Sequence, residues 1–65
     1  MTTLVVAKLG EAYLRFFDDR FELCHLGKAS VFAESEAKVL QHRLAGFGDA
    51  LAGARVMLLT IIEQP

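Results

Sequence analysis

Three short runs rich in apolar and aromatic residues occupy the N-terminal half of the chain, and turn-forming residues separate them. The runs cover residues 3–9, 12–17 and 20–26. Gly10 opens the first two-residue break, which is typical of a type II′ hairpin turn. Asp18 and Asp19 form the second break, since aspartate tolerates a positive φ. The pattern predicts three antiparallel strands joined by two tight hairpins.

Two-residue loops at both breaks determine which residues face each other across the predicted strands. Val5 then lies opposite Phe16. Ala7 lies opposite Leu14. One face of the predicted sheet becomes wholly apolar and carries Val5, Ala7, Leu9, Ala12, Leu14, Phe16, Phe21 and Leu23. A shift of one residue in either hairpin would turn polar side chains onto this face, so we expect it to be the core face.

The opposite face of the predicted sheet mixes polar, aromatic and apolar side chains. It carries Leu4, Val6, Lys8, Tyr13, Arg15, Phe17, Arg20, Glu22 and Cys24. Arg15 lies across from Glu22, which is a favourable cross-strand pair. Phe17 lies across from Arg20, within range of a cation–π interaction. The predicted partner-binding residues of this outer face are Lys8, Tyr13, Arg15, Phe17 and Arg20.

The C-terminal half of the chain predicts one helix and one further strand. Residues 29–33 form a short extended segment, and Ser35 is a good helix N-cap. Apolar residues then recur at helical spacing, at Ala37, Leu40, Leu44, Phe47 and Leu51. Gly46 and Gly48 end or bend this helix, and residues 55–62 form the last strand. We therefore predict an α+β fold, in which an antiparallel sheet of three N-terminal strands and one C-terminal strand packs on one helix.

The last predicted strand is apolar on both sides, which is typical of a strand covered on both faces. Val56, Leu58 and Ile62 point one way, and Met57, Leu59 and Ile61 point the other. One helix covers one side of the sheet only, and the other side would expose more apolar surface than a soluble monomer usually tolerates. A two-fold homodimer would bury that side. The predicted dimer interface consists of Leu4, Val6, Met57, Leu59 and Ile61.

Length, charge and cysteine content narrow the class of protein. The chain has 65 residues, which predicts a single domain over residues 1–65. Its net charge of -1 gives no global attraction to nucleic acid or to anionic lipid. Cys24 is the one cysteine, which excludes an internal disulfide and suits a reducing compartment. No apolar run reaches the roughly 18 residues of a membrane span, and no basic segment typical of a signal peptide precedes the first strand. We expect a cytoplasmic protein that does not enter a membrane.

Side chains that could catalyse a reaction or bind a metal form no recognisable motif. Cys24, His25 and His42 lack the spacing of a zinc or iron site. No serine lies in a Gly-x-Ser-x-Gly elbow, and the glycines at 46 and 48 lack the third glycine of a dinucleotide-binding loop. A chain this short also has little room for a substrate pocket. We expect no enzymatic activity, no metal and no cofactor.

Two functions fit the cations and rings of the outer face. Arginine and aromatic residues are enriched at protein interfaces. Rings flanked by cations also form platforms that stack the bases of single-stranded nucleic acid. The net charge of -1 favours contact with a protein. The predicted function is therefore a non-catalytic protein-binding module, and binding of single-stranded nucleic acid through the outer face is the alternative.

Several short segments of the chain occur in an order that is found in other small proteins. They are Tyr-Leu-Arg-Phe at residues 13–16, Phe21, Ala-Ser-Val-Phe at residues 29–32 and Ser-Glu-Ala at residues 35–37. This order, over roughly residues 4–45, resembles short phage, prophage and bacterial proteins of unknown function. The resemblance implies a ββ(β)αβ domain and a mobile-element origin, and it carries over no catalytic residue. Small phage proteins of this kind often bind a host protein, as anti-CRISPR proteins do, so the resemblance implies a host protein as the partner.

Overall fold

A computed structural model of the chain describes residues 2–62. The strands are β1 (Thr2–Leu9), β2 (Ala12–Phe16), β3 (Phe21–Cys24), β4 (Phe32–Ala33) and β5 (Arg55–Ile61), and the helix is α1 (Ala37–Gly46). Short 3-10 turns lie at Leu26–Lys28, Glu34–Glu36 and Gly48–Leu51. All strands pair antiparallel in one sheet, which confirms the predicted α+β fold. Met1 and residues 63–65 of the predicted single domain lie outside the described residues.

β1 is the central strand of the sheet. One of its edges pairs with β5 from Thr2, opposite Ile61, to Lys8, opposite Arg55. Its other edge is divided between β2, which pairs with the end of β1, and β4, which pairs with its start. β3 continues the sheet beyond β2. β5 therefore forms one edge of the sheet, and β3 together with the two-residue β4 forms the other.

The first predicted hairpin is confirmed at its turn but not along its length. Gly10 has a φ of 61°, and the two residue pairs nearest the turn keep the predicted register. β2 then diverges from β1. The expected pair of Val5 with Phe16 is therefore wrong. The expected pair of Ala7 with Leu14 is also absent from the ladder.

A later segment of the chain occupies the gap between the diverging strands. Val5 lies opposite Phe32 of β4 instead of opposite β2. Ser30, just before β4, donates its backbone N–H to the Leu14 carbonyl at 3.1 Å. Its hydroxyl accepts a hydrogen bond from the Phe16 N–H at 2.9 Å. Ser30 thus supplies partners for backbone groups of β2 that β1 does not reach, as buried or half-buried backbone requires.

The second hairpin keeps its predicted register along the whole of β3, with Arg15 opposite Glu22. The turn is closed by a hydrogen bond from the Phe17 N–H to the Arg20 carbonyl at 2.8 Å. The conformation expected at the two aspartates is wrong, because no non-glycine residue in the described part of the chain has a positive φ. The turn forms at Asp18 and Asp19 with ordinary backbone angles.

The hydrophobic core lies between the sheet and α1. Its buried residues are Val5, Ala7, Leu14, Leu40, Leu44 and Leu51. Phe16, Phe21 and Phe47 pack around it, with the rings of Phe21 and Phe47 edge to face at 5.1 Å. These contacts confirm the predicted helical stripe and most of the predicted core face. Ala12 and Leu23 are the two residues of that face outside the cluster. Leu23 is 56% exposed, because α1 packs toward β4 and β5 and leaves this position of β3 uncovered.

The start of α1 differs from the prediction. Ser35 is not the N-cap, because the chain already turns at Glu34 and Ser35 lies inside the 3-10 turn that precedes the helix. The Glu36 carboxylate accepts a hydrogen bond from the Ala33 N–H at 3.4 Å, which is one half of a capping box. The helix ends at Gly46 as predicted.

β5 keeps apolar side chains on both faces of the sheet. Val56 packs against the core, so side-chain alternation places Leu58 on the core face and Met57 on the outer face. Leu58 is 65% exposed, and Ile62, just beyond the strand, is 67% exposed. Met57 and Ile61 are exposed on the other face. The far half of β5 therefore offers apolar surface on both of its sides.

Candidate functional site

The ring of Phe17 lies beside two guanidinium groups on the outer face of the sheet. The Cζ atom of Arg20 is 4.5 Å from the centroid of this ring, and that of Arg15 is 5.4 Å from it. The hairpin turn brings Phe17 and Arg20 together, because their backbones are hydrogen-bonded across it. The predicted cation–π contact of Phe17 with Arg20 is confirmed. Each such contact is worth about 0.5–1 kcal/mol at an exposed site.

A second cation–aromatic pair lies on the same face. The Nζ atom of Lys8 is 5.4 Å from the centroid of the Tyr13 ring, and the two residues are direct neighbours on β1 and β2. The Tyr13 carbonyl accepts a hydrogen bond from the Cys24 thiol at 3.6 Å. The sheet thus brings together all five residues that were predicted to bind a partner: Lys8, Tyr13, Arg15, Phe17 and Arg20. We call these five residues the basic-aromatic patch.

Arg55 adds a cation beside this patch that the sequence pattern did not reveal. It lies directly opposite Lys8 in the β1–β5 ladder, and its neighbour Val56 points into the core, so Arg55 belongs to the outer face. Like charges directly opposite each other on adjacent strands destabilise a sheet. The pairing of the first strand with the last was needed to find Arg55, because nothing local in the sequence fixes their register.

The outer face is positive although the chain as a whole is slightly negative. Lys8, Arg15, Arg20 and Arg55 supply the positive charges. Glu22, opposite Arg15, is the one carboxylate that strand alternation places on this face within residues 2–62. Asp18 and Asp19 lie in the exposed turn at its margin. Charge is therefore separated within the molecule, and the net value of -1 does not describe this surface.

The five residues of the predicted dimer interface also lie together, on the β1 and β5 side of the outer face. Leu4 is opposite Leu59, and Val6 is opposite Met57. Val6 is only 2% exposed and lies outside the main core cluster, so a single chain already covers it. Leu4 and Leu59 are half-buried. Of the predicted interface residues, Met57 and Ile61 offer the largest accessible surface.

A shallow groove of about 580 Å³ runs between the end of α1, the last 3-10 turn and the start of β5. Small and apolar side chains line most of it, including Leu44, Ala54 and Val56. Gln41 and Arg55 are the polar residues among those that line it. The arrangement can receive an apolar side chain, and its wall holds no pair of titratable groups that could act as acid and base.

The remaining candidate residues of the sequence lie apart from one another. No three His, Cys, Asp or Glu side chains are grouped for a metal ion within residues 2–62. Cys24 is a half-buried free thiol, and His25 and His42 are exposed. Within the same residues, no helix has the length and apolar character needed to cross a membrane. Comparison of the chain with protein-family models, with curated proteins and with solved structures finds no match.

Proposed function

We propose that the chain is a non-catalytic protein-binding module whose contact surface is the basic-aromatic patch. The observation that supports this most is the position of two guanidinium groups beside the Phe17 ring, at 4.5 and 5.4 Å. Contacts with the ring restrict both arginine side chains before a partner arrives. Less conformational entropy is then lost on binding, which raises affinity.

The chemistry of the patch favours a partner segment that carries carboxylates. The Phe17 ring attracts the two guanidinium groups but does not accept their N–H donors as a carboxylate would. The arginines therefore keep these donors for an acidic partner. Arginine binds carboxylates through two parallel hydrogen bonds. The repulsion between Lys8 and Arg55, which lie directly opposite each other, would also be relieved by an anionic group bound between them. The resemblance to phage and prophage proteins adds a host protein as the proposed source of that segment.

Single-stranded nucleic acid is the second candidate, because four cations share this face with two rings. Its bases would need ring faces on which to stack. Lys8 lies over the Tyr13 ring, and two arginines lie beside the Phe17 ring. Both rings are thus already engaged by cations, which favours an acidic protein segment over a nucleic acid.

A peptide selection separates these functions. The wild-type protein is used to select from a yeast-displayed library of random peptides, and we expect the selected peptides to be enriched in Asp and Glu. Arg15→Glu and Arg20→Glu should each weaken their binding at least tenfold and leave the circular dichroism spectrum unchanged, since both side chains are exposed. Lys38→Glu is the matched control, because it makes the same charge change at an exposed position of α1 and should bind as the wild type does.

The second arm of the experiment uses an oligothymidine of about 20 nucleotides. We expect no binding to it at physiological salt. Tight binding that falls steeply with salt concentration would reverse the choice in favour of nucleic acid. Selected peptides that bind the Arg15→Glu and Arg20→Glu proteins as well as the wild type, or a selection that enriches nothing, would reject the patch as the binding surface.

We also propose that the module acts as a homodimer. The support for this is the apolar surface along the far half of β5, where exposed Met57, Leu58 and Ile61 lie close together in one strand, with Ile62 just beyond it, and are not scattered singly. Sedimentation at tens of micromolar tests the oligomeric state, and a folded monomer at that concentration would contradict the homodimer.

A further inference from the structure

β5 is an outer strand with an unprotected edge. One edge of β5 pairs with β1, and no strand within the described residues pairs with its other edge. Natural proteins protect such edges with charged residues, prolines, bulges or very short strands. β5 is seven residues long, and Arg55 at its start is its one charged residue.

β3, which forms the opposite edge together with β4, is protected in the usual way. It is four residues long and carries Glu22 within it. The two edges of the same sheet thus differ in length, charge and apolar exposure. An edge as long and apolar as that of β5 is expected to pair with another chain.

The exposure on both faces of β5 favours an added strand over a packed layer. A second sheet or helix laid on the outer face would cover Met57 and Ile61 but leave Leu58 and Ile62 in water. A strand added to the edge places its own side chains beside those of β5 on both faces at once. It also pairs the open backbone groups of the edge, which a packed layer cannot do.

The sequence of β5 is suited to pair with a copy of itself. The two-fold axis of such an antiparallel pair is perpendicular to the sheet, so it keeps each side chain on its own face. Residues opposite each other must therefore be an even number of positions apart in the sequence, and one residue lies opposite its own copy at the axis. All seven residues pair in one register only, with Leu58 opposite Leu58 of the second copy. Met57 then lies opposite Leu59 of the second copy, and Arg55 lies opposite Ile61, so no like charges meet.

The groove beside β5 fits the same register. One residue beyond the end of the strand, Ile62 of the second copy would lie opposite Ala54, the residue just before β5. Ala54 and Val56 line the groove at the start of β5, and this groove is apolar enough to receive the Ile62 side chain. The pairing would thus also bury the most exposed large apolar side chain among the described residues.

We infer that two copies of the chain pair antiparallel through the free edge of β5, with Leu58 on the two-fold axis, and form one continuous sheet across the dimer. This inference rests on the homodimer of the proposed function and gives its geometry. It differs from the interface that the sequence predicted, because the strand edge, and not the outer face, makes the contact. Both basic-aromatic patches would then lie on the same side of the ten-stranded sheet that two five-stranded sheets form.

A charge-swap experiment tests the pairing. Leu58→Glu and Leu58→Lys each place like charges on the axis, and each should raise the dimer dissociation constant at least a hundredfold in sedimentation equilibrium. An equimolar mixture of the two variants should form a heterodimer, because opposite charges then meet. Leu23→Glu is the control, since Leu23 is a similarly exposed core-face residue of β3 at the opposite edge, and it should leave the dimer intact.

Several results would overturn this pairing. They are a wild-type protein that is monomeric at tens of micromolar, a Leu58→Glu protein that remains dimeric, or a mixture that does not recover the dimer. Loss of the dimer in Ile61→Glu but not in Leu58→Glu would assign the contact to the outer face instead.

If a charged variant fails to fold, a cross-linking experiment replaces it, with Leu58→Cys on a Cys24→Ser background. A short bismaleimide should cross-link this variant to a dimer, and equal cross-linking of Leu23→Cys on the same background would contradict the pairing. Peptide binding by the patch is measured separately, so a monomer that still binds the selected peptides would refute the dimer alone.

Discussion

Replacing Leu40 by alanine should remove a large part of the stability of the fold. Leu40 is 1% exposed and belongs to the cluster between α1 and the sheet. Truncation of a fully buried leucine costs about 3–5 kcal/mol, because the transfer free energy of the lost methyl groups is added to that of the cavity left behind. A chain of 65 residues has a free energy of unfolding of roughly 3–10 kcal/mol. The variant should therefore unfold at a far lower urea concentration, or be unfolded without urea.

The neighbouring residue provides the control for this experiment. Val39 lies one position earlier on α1 and is 64% exposed, so Val39→Ala should change the free energy of unfolding by no more than about 0.5 kcal/mol. Both variants are unfolded in urea and followed by circular dichroism at one fixed protein concentration, because the stability of a dimer depends on concentration. The melting temperature of Leu40→Ala should fall by more than about 10 °C. Equal urea midpoints for the two variants would show that this face of α1 does not form the core.

Two further substitutions test the backbone features of the sheet. Ser30→Ala should lower the free energy of unfolding by about 1–3 kcal/mol, because the half-buried Phe16 N–H loses its acceptor; a urea midpoint equal to that of the wild type would exclude this role for the hydroxyl. Gly10→Ala should lower the free energy of unfolding by about 1–2 kcal/mol, because alanine is strained at a φ of 61°. A Cβ added there meets nothing within 4 Å, so no steric clash contributes. Gly46→Ala is its control, with equal space and no positive φ, and it should be neutral or stabilising in the same urea assay.

Local patterns in the sequence predicted the elements that local interactions determine. The spacing of Leu40, Leu44 and Phe47 can be read within a few turns of one helix, and the structure places all three against the core. The turn at Gly10 likewise depends on two residues and is confirmed. The cation–π contact of Phe17 with Arg20 follows from a four-residue hairpin turn and is also present.

Contacts between distant parts of the chain were the ones that the sequence could not predict. β4 takes the place of β2 beside the start of β1. This depends on Ser30, which binds backbone groups of β2 in place of β1 and lies 14 residues from Phe16 in the sequence. Arg55 joins the candidate site only through the register of β5 on β1. The exposure of Leu23 depends on where α1 lies over the sheet. No periodicity along the chain encodes such placements, because each results from a balance between alternative long-range pairings.

The pairing of the first strand with the last determines when the fold can form during synthesis. β1 is synthesised before the other four strands, but the edge that it shares with β5 has no partner until about Ile61 has been added. At about 5–20 residues per second, the nascent chain carries the apolar Val5, Val6 and Ala7 without their neighbours for roughly 3–10 seconds. A contact of such long sequence separation also slows folding itself. The sheet therefore closes only after β5 has been made, and until then the central strand keeps one edge unpaired.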